Sequence, residues 1–133
     1  MSALCEEAAM LYRIALEDYR AFRKLIGDPE IDVRIAAFLG QQTVEKLFKA
    51  VLAQKNVIFP PTHNLEKLAE LLKENGVPMP LEGDVLKRLN PYAVVFRYDD
   101  RDIPTISRDV AREQVECLFA WADRQLRLQS PCC

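Results

Sequence analysis

The chain has 133 residues, the length of one typical domain. Half of these residues are hydrophobic and 29% are charged, so we expect a folded core rather than a disordered chain. The net charge is −2 and the pI is about 5.5, which excludes a protein that binds nucleic acid through a general basic surplus. Any contact with nucleic acid would therefore need a local basic patch.

The sequence shows no sign of a membrane segment. No apolar run approaches the roughly 20 residues that a membrane-spanning helix needs. The first ten residues, MSALCEEAAM, contain two glutamates and no basic residue, which is unlike a signal peptide. We therefore expect a cytoplasmic protein without membrane contact.

The four cysteines do not indicate a metal site. Cys5, Cys117, Cys132 and Cys133 form no CxxC pair, and the single histidine cannot complete a zinc site with them. We expect no metal and no cofactor. Cys5 and Cys117 are expected to be small buried apolar residues, and Cys132 and Cys133 to lie in a C-terminal tail.

Hydrophobic residues at spacings of three and four predict two long helices in the first half of the chain. The first is predicted over Ala3–Ile26, with Ser2 as its N-cap, and it ends at the Gly-Asp-Pro sequence 27–29. The second is predicted from Pro29 or Glu30 to Lys55. The sequence Pro60-Pro61 then forces an extended turn.

The second half predicts three more helices. The third runs over Asn64–Asn75, where Asn75-Gly76 is a C-terminal stop. The fourth covers about Glu82–Arg97, and Pro91 is expected to kink or break it. The fifth covers Thr105–Leu128. Because no segment alternates with period two, we expect an all-α fold, an up-and-down bundle of four to five helices. Residues 1–133 should form one domain, with a core over about 3–128 and a tail over 129–133.

A polar ladder on the second helix is the first candidate site. On a helical wheel, Glu45 falls between Leu52 and Phe38, so it does not lie on a plainly polar face. Gln41 lies one turn before Glu45, and Lys49 lies four residues after it. One interpretation is an amphipathic edge with an intrahelical salt bridge. The other is a polar cluster at a helix junction that serves a ligand or a partner.

The single histidine, His63, directly precedes the predicted third helix in PPTHNLEKL. Thr62 or Asn64 is the better N-cap candidate. A helix N-terminus offers free N–H groups that favour anions. His63 therefore either orients the helix start or makes a polar contact to Glu45 or to a bound phosphate.

These residues belong to a longer stretch, AAFLGQQTVEKLFKAVLAQKNVIFPPTHNLEKLAELL, which resembles the core signature of HEPN domains. The resemblance rests on the ordered series QQ, EK, KA, Pro-Pro, Thr-His and an Asn-Leu helix start. The later LNPYAVVFRYDD resembles the helix of that family that ends in an Arg-Tyr pair, here Arg97 and Tyr98. The similarity covers roughly Leu4 to Leu126.

The resemblance implies a bundle of four or five helices, commonly a homodimer, in a nucleotide- or RNA-associated role. Stand-alone members of the family are often encoded beside a minimal nucleotidyltransferase as a toxin–antitoxin-like pair. Other members are metal-independent RNases that carry an Arg followed four to six residues later by a His. This chain lacks that spacing, since no histidine follows Arg97 and no arginine lies four to six residues before His63.

Three hypotheses follow. The first is a non-catalytic HEPN-like module that binds nucleotide or RNA and works with a separate nucleotidyltransferase. The second is an RNase with a degenerate site around Arg97 and the loop from Asp99 to Asp102, and the third is a plain helical interaction protein. The expected ligand-binding residues are Gln41, Glu45, Lys49, His63, Arg97 and Tyr98, with no catalytic residue assigned. Arg97 either pairs with a carboxylate across helices or joins Lys87, Arg88 and Arg101 in a phosphate-binding patch.

Overall fold

The computed structural model describes residues 3–93 and 106–128. Every regular element within these ranges is helical, as the hydrophobic spacing predicts. The elements are α1 (Ala3–Ile26), α2 (Val33–Gln54), α3 (Leu65–Glu74), α4 (Gly83–Leu89), a 3₁₀ helix (Asn90–Ala93) and α5 (Arg108–Leu128). None of the helices in this part of the chain is both long and apolar enough to cross a membrane.

Contacts between the long helices show how they run relative to one another. Tyr12 donates to Asp123 at 3.1 Å. Tyr19 lies about two turns later in α1, and it donates to Glu116, which lies earlier in α5 than Asp123. Helices α1 and α5 are therefore antiparallel. Lys46 pairs with Asp18 and so joins α2 to α1. The short turn 27–32 connects the two helices, so α2 returns against α1.

Helix α2 is the central element, because it contacts α1, α3, α4, α5 and the 3₁₀ helix. Apolar and small residues recur on α2 at spacings of three and four, and those from Ala37 through Gly40 and Val44 to Val51 form a stripe that is buried in full. Burial extends well beyond that stripe, to the other faces of the helix. Polar residues on α2 therefore lie inside the bundle and need partners there.

The start of α2 differs from the prediction, which placed it at Pro29 or Glu30. Residues 28–31 form a turn, in which the Ile31 N–H donates to the carbonyl of Asp28 at 3.1 Å. The side chain of Asp32 accepts from the Arg34 N–H at 2.9 Å and so caps the helix. Capping by Asp32 satisfies a free N–H group of the first turn, which favours a start at Val33 over a start at Pro29.

The third helix agrees with the prediction to within one residue at each end. Asn64 is its N-cap and accepts from the N–H groups of Glu66 and Lys67. Asn75 is its C-cap, and Gly76 follows with φ +80°, the left-handed conformation that glycine adopts most readily. The Asn-Gly stop is therefore confirmed.

The fourth and fifth helices are shorter than predicted within the described residues. Helix α4 begins at Gly83 and ends at Leu89, and the chain tightens into the 3₁₀ helix that contains Pro91, so the predicted break occurs there. The continuation to Arg97 lies outside the described residues. Helix α5 begins at Arg108 rather than Thr105, because the Ser107 hydroxyl accepts from the Val110 N–H at 3.1 Å and caps it.

The single tryptophan anchors α5 to the rest of the bundle. Trp121 is 3% exposed, and its ring meets the ring of Phe48 on α2 edge to face, with centroids 5.6 Å apart. Its indole N–H donates to the carbonyl of Pro78 at 2.7 Å. Trp121 thus ties α5 both to the central helix and to the linker after α3.

Candidate functional site

Glu45 occupies the middle of α2 and its side chain is 5% exposed. Lys49, one turn later, donates from Nζ to Glu45 Oε2 at 3.0 Å, and the Lys49 side chain is only 14% exposed. The Lys49 ammonium also lies 5.9 Å from the centre of the Phe59 ring. The Glu45–Lys49 pair is therefore a part-buried ion pair rather than a solvated helix edge.

His63 completes this cluster from a different segment. Its Nδ1 lies 3.0 Å from Glu45 Oε1 and 3.1 Å from Oε2. A carboxylate only accepts hydrogen bonds, so Nδ1 carries the proton of this contact. The imidazole is otherwise 67% exposed. Glu45 thus fixes the ring orientation while the rest of the ring faces solvent.

Gln41 links the cluster to the backbone of the turn before α3. This residue is fully buried, and its Nε2 donates to the carbonyl of His63 at 2.9 Å and, more weakly, to Glu45 Oε1 at 3.4 Å. The His63 segment is therefore held by both its side chain and its backbone. Gln41, Glu45, Lys49 and His63, which are four of the predicted site residues, come together at one point.

A hydrogen-bond chain continues from Gln41 across α2 to α1. Gln42 donates to Gln41 Oε1 at 2.7 Å, and Lys46 donates to Gln42 Oε1 at 3.2 Å. Lys46 also pairs with Asp18 of α1 at 2.6 Å. From the Lys46 ammonium through Gln42 and Gln41 to the Glu45 carboxylate, every donor points the same way, so each bond polarises the next one. The sequence does not predict Gln42, Lys46 or Asp18 as site residues, although Gln42 and Lys46 show the i, i+4 spacing.

A pair of asparagines fixes the other side of the turn. Asn90 Nδ2 donates to the capping Asn64 Oδ1 at 3.0 Å, and Asn90 Oδ1 accepts from the Leu65 N–H at 2.8 Å. The first turn of α3 is thus satisfied by side chains of the protein. The asparagine pair also joins α3 to the start of the 3₁₀ helix, which positions His63 against α2.

The sequence of this bundle matches a known family model. The model described as HEPN domain matches residues 8–124, which include the whole cluster. The chain belongs to the HEPN domain family. No curated protein and no solved structure gives a match. The family is a nucleotide- and RNA-related one, so the coarse functional assignment agrees with the sequence resemblance.

Two predicted site residues of this HEPN domain, Arg97 and Tyr98, lie outside the described residues. The patch predicted around Arg97 also included Lys87 and Arg88, which are exposed on α4. Lys87 pairs with Asp84 at 3.2 Å. The surface pair partly offsets the positive charge of Lys87.

A different basic patch lies on α1. Arg20, Arg23 and Lys24 line a surface depression of about 380 Å³. No carboxylate pairs with them within residues 3–93 and 106–128, and the Arg23 guanidinium lies 5.5 Å above the Tyr19 ring. The three basic residues occur at helical spacing in the sequence RAFRK, residues 20–24. The net charge of the whole chain, −2, gives no indication of this local positive charge. The patch supplies the local positive charge that contact with phosphate would require.

Tyr19 packs under the Arg23 guanidinium of this basic patch. Its ring stacks on Phe119 with centroids 4.1 Å apart, and its hydroxyl donates to Glu116. Burial, followed by this contact with Glu116, raises the pKa of Tyr19 to about 12. The neutral phenol is therefore stable throughout the physiological pH range.

The described part of the chain contains no group of three or more His, Cys, Asp or Glu side chains that could hold a metal ion. Cys117, predicted to be buried, is half-buried in α5. The Cys5 side chain and the tail beyond residue 128 lie outside the described residues.

Proposed function

We propose that this HEPN protein is a non-catalytic module that binds the phosphates of a nucleotide or RNA and works with a separately encoded minimal nucleotidyltransferase. The two proteins would form a toxin–antitoxin-like pair, in which the HEPN chain is a homodimer. The observation that carries this proposal is the buried Glu45 carboxylate, which orients an exposed imidazole. Such an arrangement fits recognition, since it holds one polar ring edge rigidly at the surface.

Different residues have different roles in this proposal. Glu45 and Gln41 position His63, whose exposed ring contributes a hydrogen bond to the ligand. Lys49 acts mainly through Glu45, because the carboxylate compensates its charge. Arg20, Arg23 and Lys24 attract phosphate. Arg97 and Tyr98 are kept in the proposed ligand-binding set on the sequence resemblance alone.

The absence of the RNase motif supports a non-catalytic role. Cleavage of RNA without a metal needs a general base and a general acid near neutral pH. The arginine that RNase members place four to six residues before a histidine is missing before His63. A degenerate RNase is therefore the weaker alternative, and it predicts that the purified protein cleaves RNA.

A plain interaction module is the second candidate function. It is favoured by the depth of the cluster, since Gln41 is fully buried and Lys49 is 14% exposed. In that case the polar residues only hold the segment before α3 against α2. The two candidates differ in whether replacing the exposed His63 ring or the basic patch affects binding.

Calorimetric titration with ATP and with a short single-stranded RNA tests the proposal. We expect His63→Ala and the double variant Arg23→Ala/Lys24→Ala each to weaken binding about tenfold, the loss expected for one or two charge-assisted hydrogen bonds. Lys73→Ala, which removes an exposed lysine from α3, is the matched control and should bind as wild type does. Absence of heat with both probes for the wild-type protein would favour the plain interaction module.

The same preparations address the remaining parts of the proposal. Structured RNA incubated with the wild-type protein should stay intact, whereas cleavage that is lost in Arg97→Ala would support the RNase alternative. Co-expression with a nucleotidyltransferase encoded beside this chain should give a complex that co-purifies. Failure to co-purify would remove the partner from the proposal without affecting nucleotide binding.

A further inference from the structure

His63 meets the Glu45 cluster through one side of its imidazole. Both oxygens of the Glu45 carboxylate face the same ring nitrogen, since Nδ1 lies 3.0 Å from Oε1 and 3.1 Å from Oε2. The His63 carbonyl is held separately, at 2.9 Å from Gln41 Nε2. Because Nδ1 faces the buried carboxylate while 67% of the His63 side chain is exposed, the far side of the ring, which carries Nε2, faces solvent.

The charges around His63 favour a neutral imidazole. The Lys49 ammonium already compensates the Glu45 carboxylate, to which it donates at 3.0 Å. A second cation at this carboxylate would leave one positive charge unmatched beside a part-buried pair. His63 also directly precedes Asn64, the N-cap of α3, and the start of a helix disfavours positive charge. The contact with Glu45 therefore needs only the single proton of a neutral ring.

The position of that proton decides what Nε2 can do. In a neutral imidazole one nitrogen donates and the other accepts, whereas a carboxylate can only accept. The hydrogen bond to Glu45 thus places the proton on Nδ1 and leaves Nε2 of His63 unprotonated. This nitrogen accepts hydrogen bonds and donates none. Since the oxygens of an ionised phosphate also only accept, Nε2 requires a different group of the ligand.

The surface that precedes His63 in the chain is apolar. Ile58 is 84% exposed, and Pro60 and Pro61 are exposed as well. Their backbone forms a tight turn, in which the Thr62 N–H donates to the Pro60 carbonyl at 2.8 Å. Residues 57–62 carry no charged side chain. This turn offers van der Waals contact to a sugar or a base, and it adds no positive charge that would attract a phosphate.

We propose that the exposed Nε2 of His63 accepts a hydrogen bond from a ribose hydroxyl or a nucleobase amino group. The inference rests on the proposed binding of a nucleotide or RNA, and it specifies which kind of group the ligand presents to this site. Ribose hydroxyls and nucleobase amino groups are neutral donors, as an unprotonated nitrogen beside an apolar turn requires. Contacts with phosphate are left to the basic patch of Arg20, Arg23 and Lys24.

The single histidine of the chain makes its tautomer directly measurable. In a long-range ¹H–¹⁵N spectrum of the wild-type protein at pH 8, we expect a protonated Nδ1 and an unprotonated Nε2 at much lower field. A saturating RNA tetramer of adenosine should move the Nε2 resonance to higher field, as expected when its lone pair accepts a hydrogen bond. A proton on Nε2 in the free protein, or an Nε2 resonance that the bound tetramer leaves unchanged, would overturn the proposal.

Three single-stranded tetramers with phosphate at both ends separate the two kinds of donor. The RNA tetramer of adenosine carries 2′-hydroxyls and amino groups, the DNA tetramer of deoxyadenosine lacks the 2′-hydroxyls, and an RNA tetramer of purine riboside lacks the amino groups. We expect one of the two modified tetramers to bind the wild-type protein about three- to tenfold more weakly, the loss of one neutral hydrogen bond in calorimetric titration. The weaker tetramer identifies the donor.

His63→Ala assigns that preference to the imidazole. Because the variant lacks the acceptor, it should bind the weaker tetramer and the adenosine tetramer with equal affinity. Lys73→Ala, the exposed control on α3, should keep the wild-type preference. A preference that persists unchanged in His63→Ala would refute the proposal. Equal binding of all three tetramers by the wild type would overturn this inference alone, whereas no binding of the adenosine tetramer would remove the proposed RNA binding together with it.

Discussion

At the scale of residues, the buried Glu45 carboxylate determines which side chains must surround it. A buried carboxylate is expensive to desolvate, and it is stable only when its partners surround it closely. Lys49 and His63 supply those partners at 3.0 Å from two segments of the chain. The stability of this part of the bundle therefore depends mainly on whether each buried charge keeps its oppositely charged partner. The number of hydrogen bonds matters less.

Replacing one partner alone should be costly. We expect Glu45→Leu to lower the free energy of unfolding by about 3 kcal/mol, because the mostly buried Lys49 ammonium loses its counter-charge. The double variant Glu45→Leu/Lys49→Met should recover most of that loss, since it leaves no unpaired charge inside. Urea unfolding of the wild-type protein and the three variants, including Lys49→Met, measures this cycle. A double variant as unstable as the sum of the single ones would contradict the explanation.

The sequence could predict part of this arrangement at the scale of residues. The helical wheel indicates that Glu45 does not lie on a plainly polar face, and in the structure the whole residue is 4% exposed. The contact from Gln41 to the His63 carbonyl joins residues 22 positions apart. Helical periodicity carries no information on such a contact, because it depends on how the turn before α3 folds back.

At the scale of elements, the start of α2 illustrates competition between two helix signals. Pro29 favours a first helical turn, whereas Asp32 is a strong N-cap. The cap prevails, and the Arg34 side chain pairs with the same carboxylate at 2.6 Å. The Arg34 side chain first, and its backbone N–H second, hold the pKa of Asp32 at about 2.

The cap makes a pH-dependent contribution to stability. Asp32→Ala should lower the free energy of unfolding by about 1 kcal/mol at neutral pH. Because folding lowers the Asp32 pKa, the contribution is fully present above the unfolded value of about 3.9 and is lost as the pH falls towards 2. Urea unfolding at pH 7 and at pH 2.5 measures the difference between Asp32→Ala and the wild type.

Asp32→Asn is the matched control, since its side-chain oxygen still caps the helix but does not titrate. It should lose less stability than Asp32→Ala at pH 7. A gap between wild type and Asp32→Ala that is the same at both pH values would show that protonation of Asp32 is not involved.

At the scale of the whole molecule, Gly40 marks the point where three helices meet. A Cβ atom at this position would lie 2.9 Å from Val115 Cγ2 on α5 and 3.0 Å from the Phe22 ring on α1. Both neighbours are themselves buried. The close approach of α1, α2 and α5 therefore requires that this residue have no side chain.

Gly40→Ala should consequently destabilise the protein even though alanine favours helix. We expect a loss of about 1–3 kcal/mol from overpacking, measured as a lower midpoint of thermal or urea unfolding. Gly27→Ala is the control, because its Cβ would have only ordinary contacts, 3.8 Å or more away. A stabilised Gly40→Ala would mean that the helices can separate without cost.

The sequence predicts that the helices exist, but it does not predict which helices pack against each other. Stripes such as Ala15, Tyr19 and Phe22 identify buried faces, but they do not state which other face each one meets. The contacts of α2 show the difficulty: Gly40 lies beside Val115 and Phe48 beside Trp121, so α2 and α5 run parallel. Antiparallel packing of helices that are consecutive in the chain does not by itself predict that α2 and α5 are parallel neighbours. The segment with α3 and α4 makes this possible, because it returns the chain from the end of α2 to the start of α5.

Trp121 gives the bundle a built-in optical signal. As the single indole chromophore in the chain, it is buried against Phe48 on the helix that also carries Glu45. Its fluorescence emission should therefore be blue-shifted in the native state and move to longer wavelengths when water reaches the ring. Every unfolding experiment described above can be followed at this one wavelength range without an attached dye.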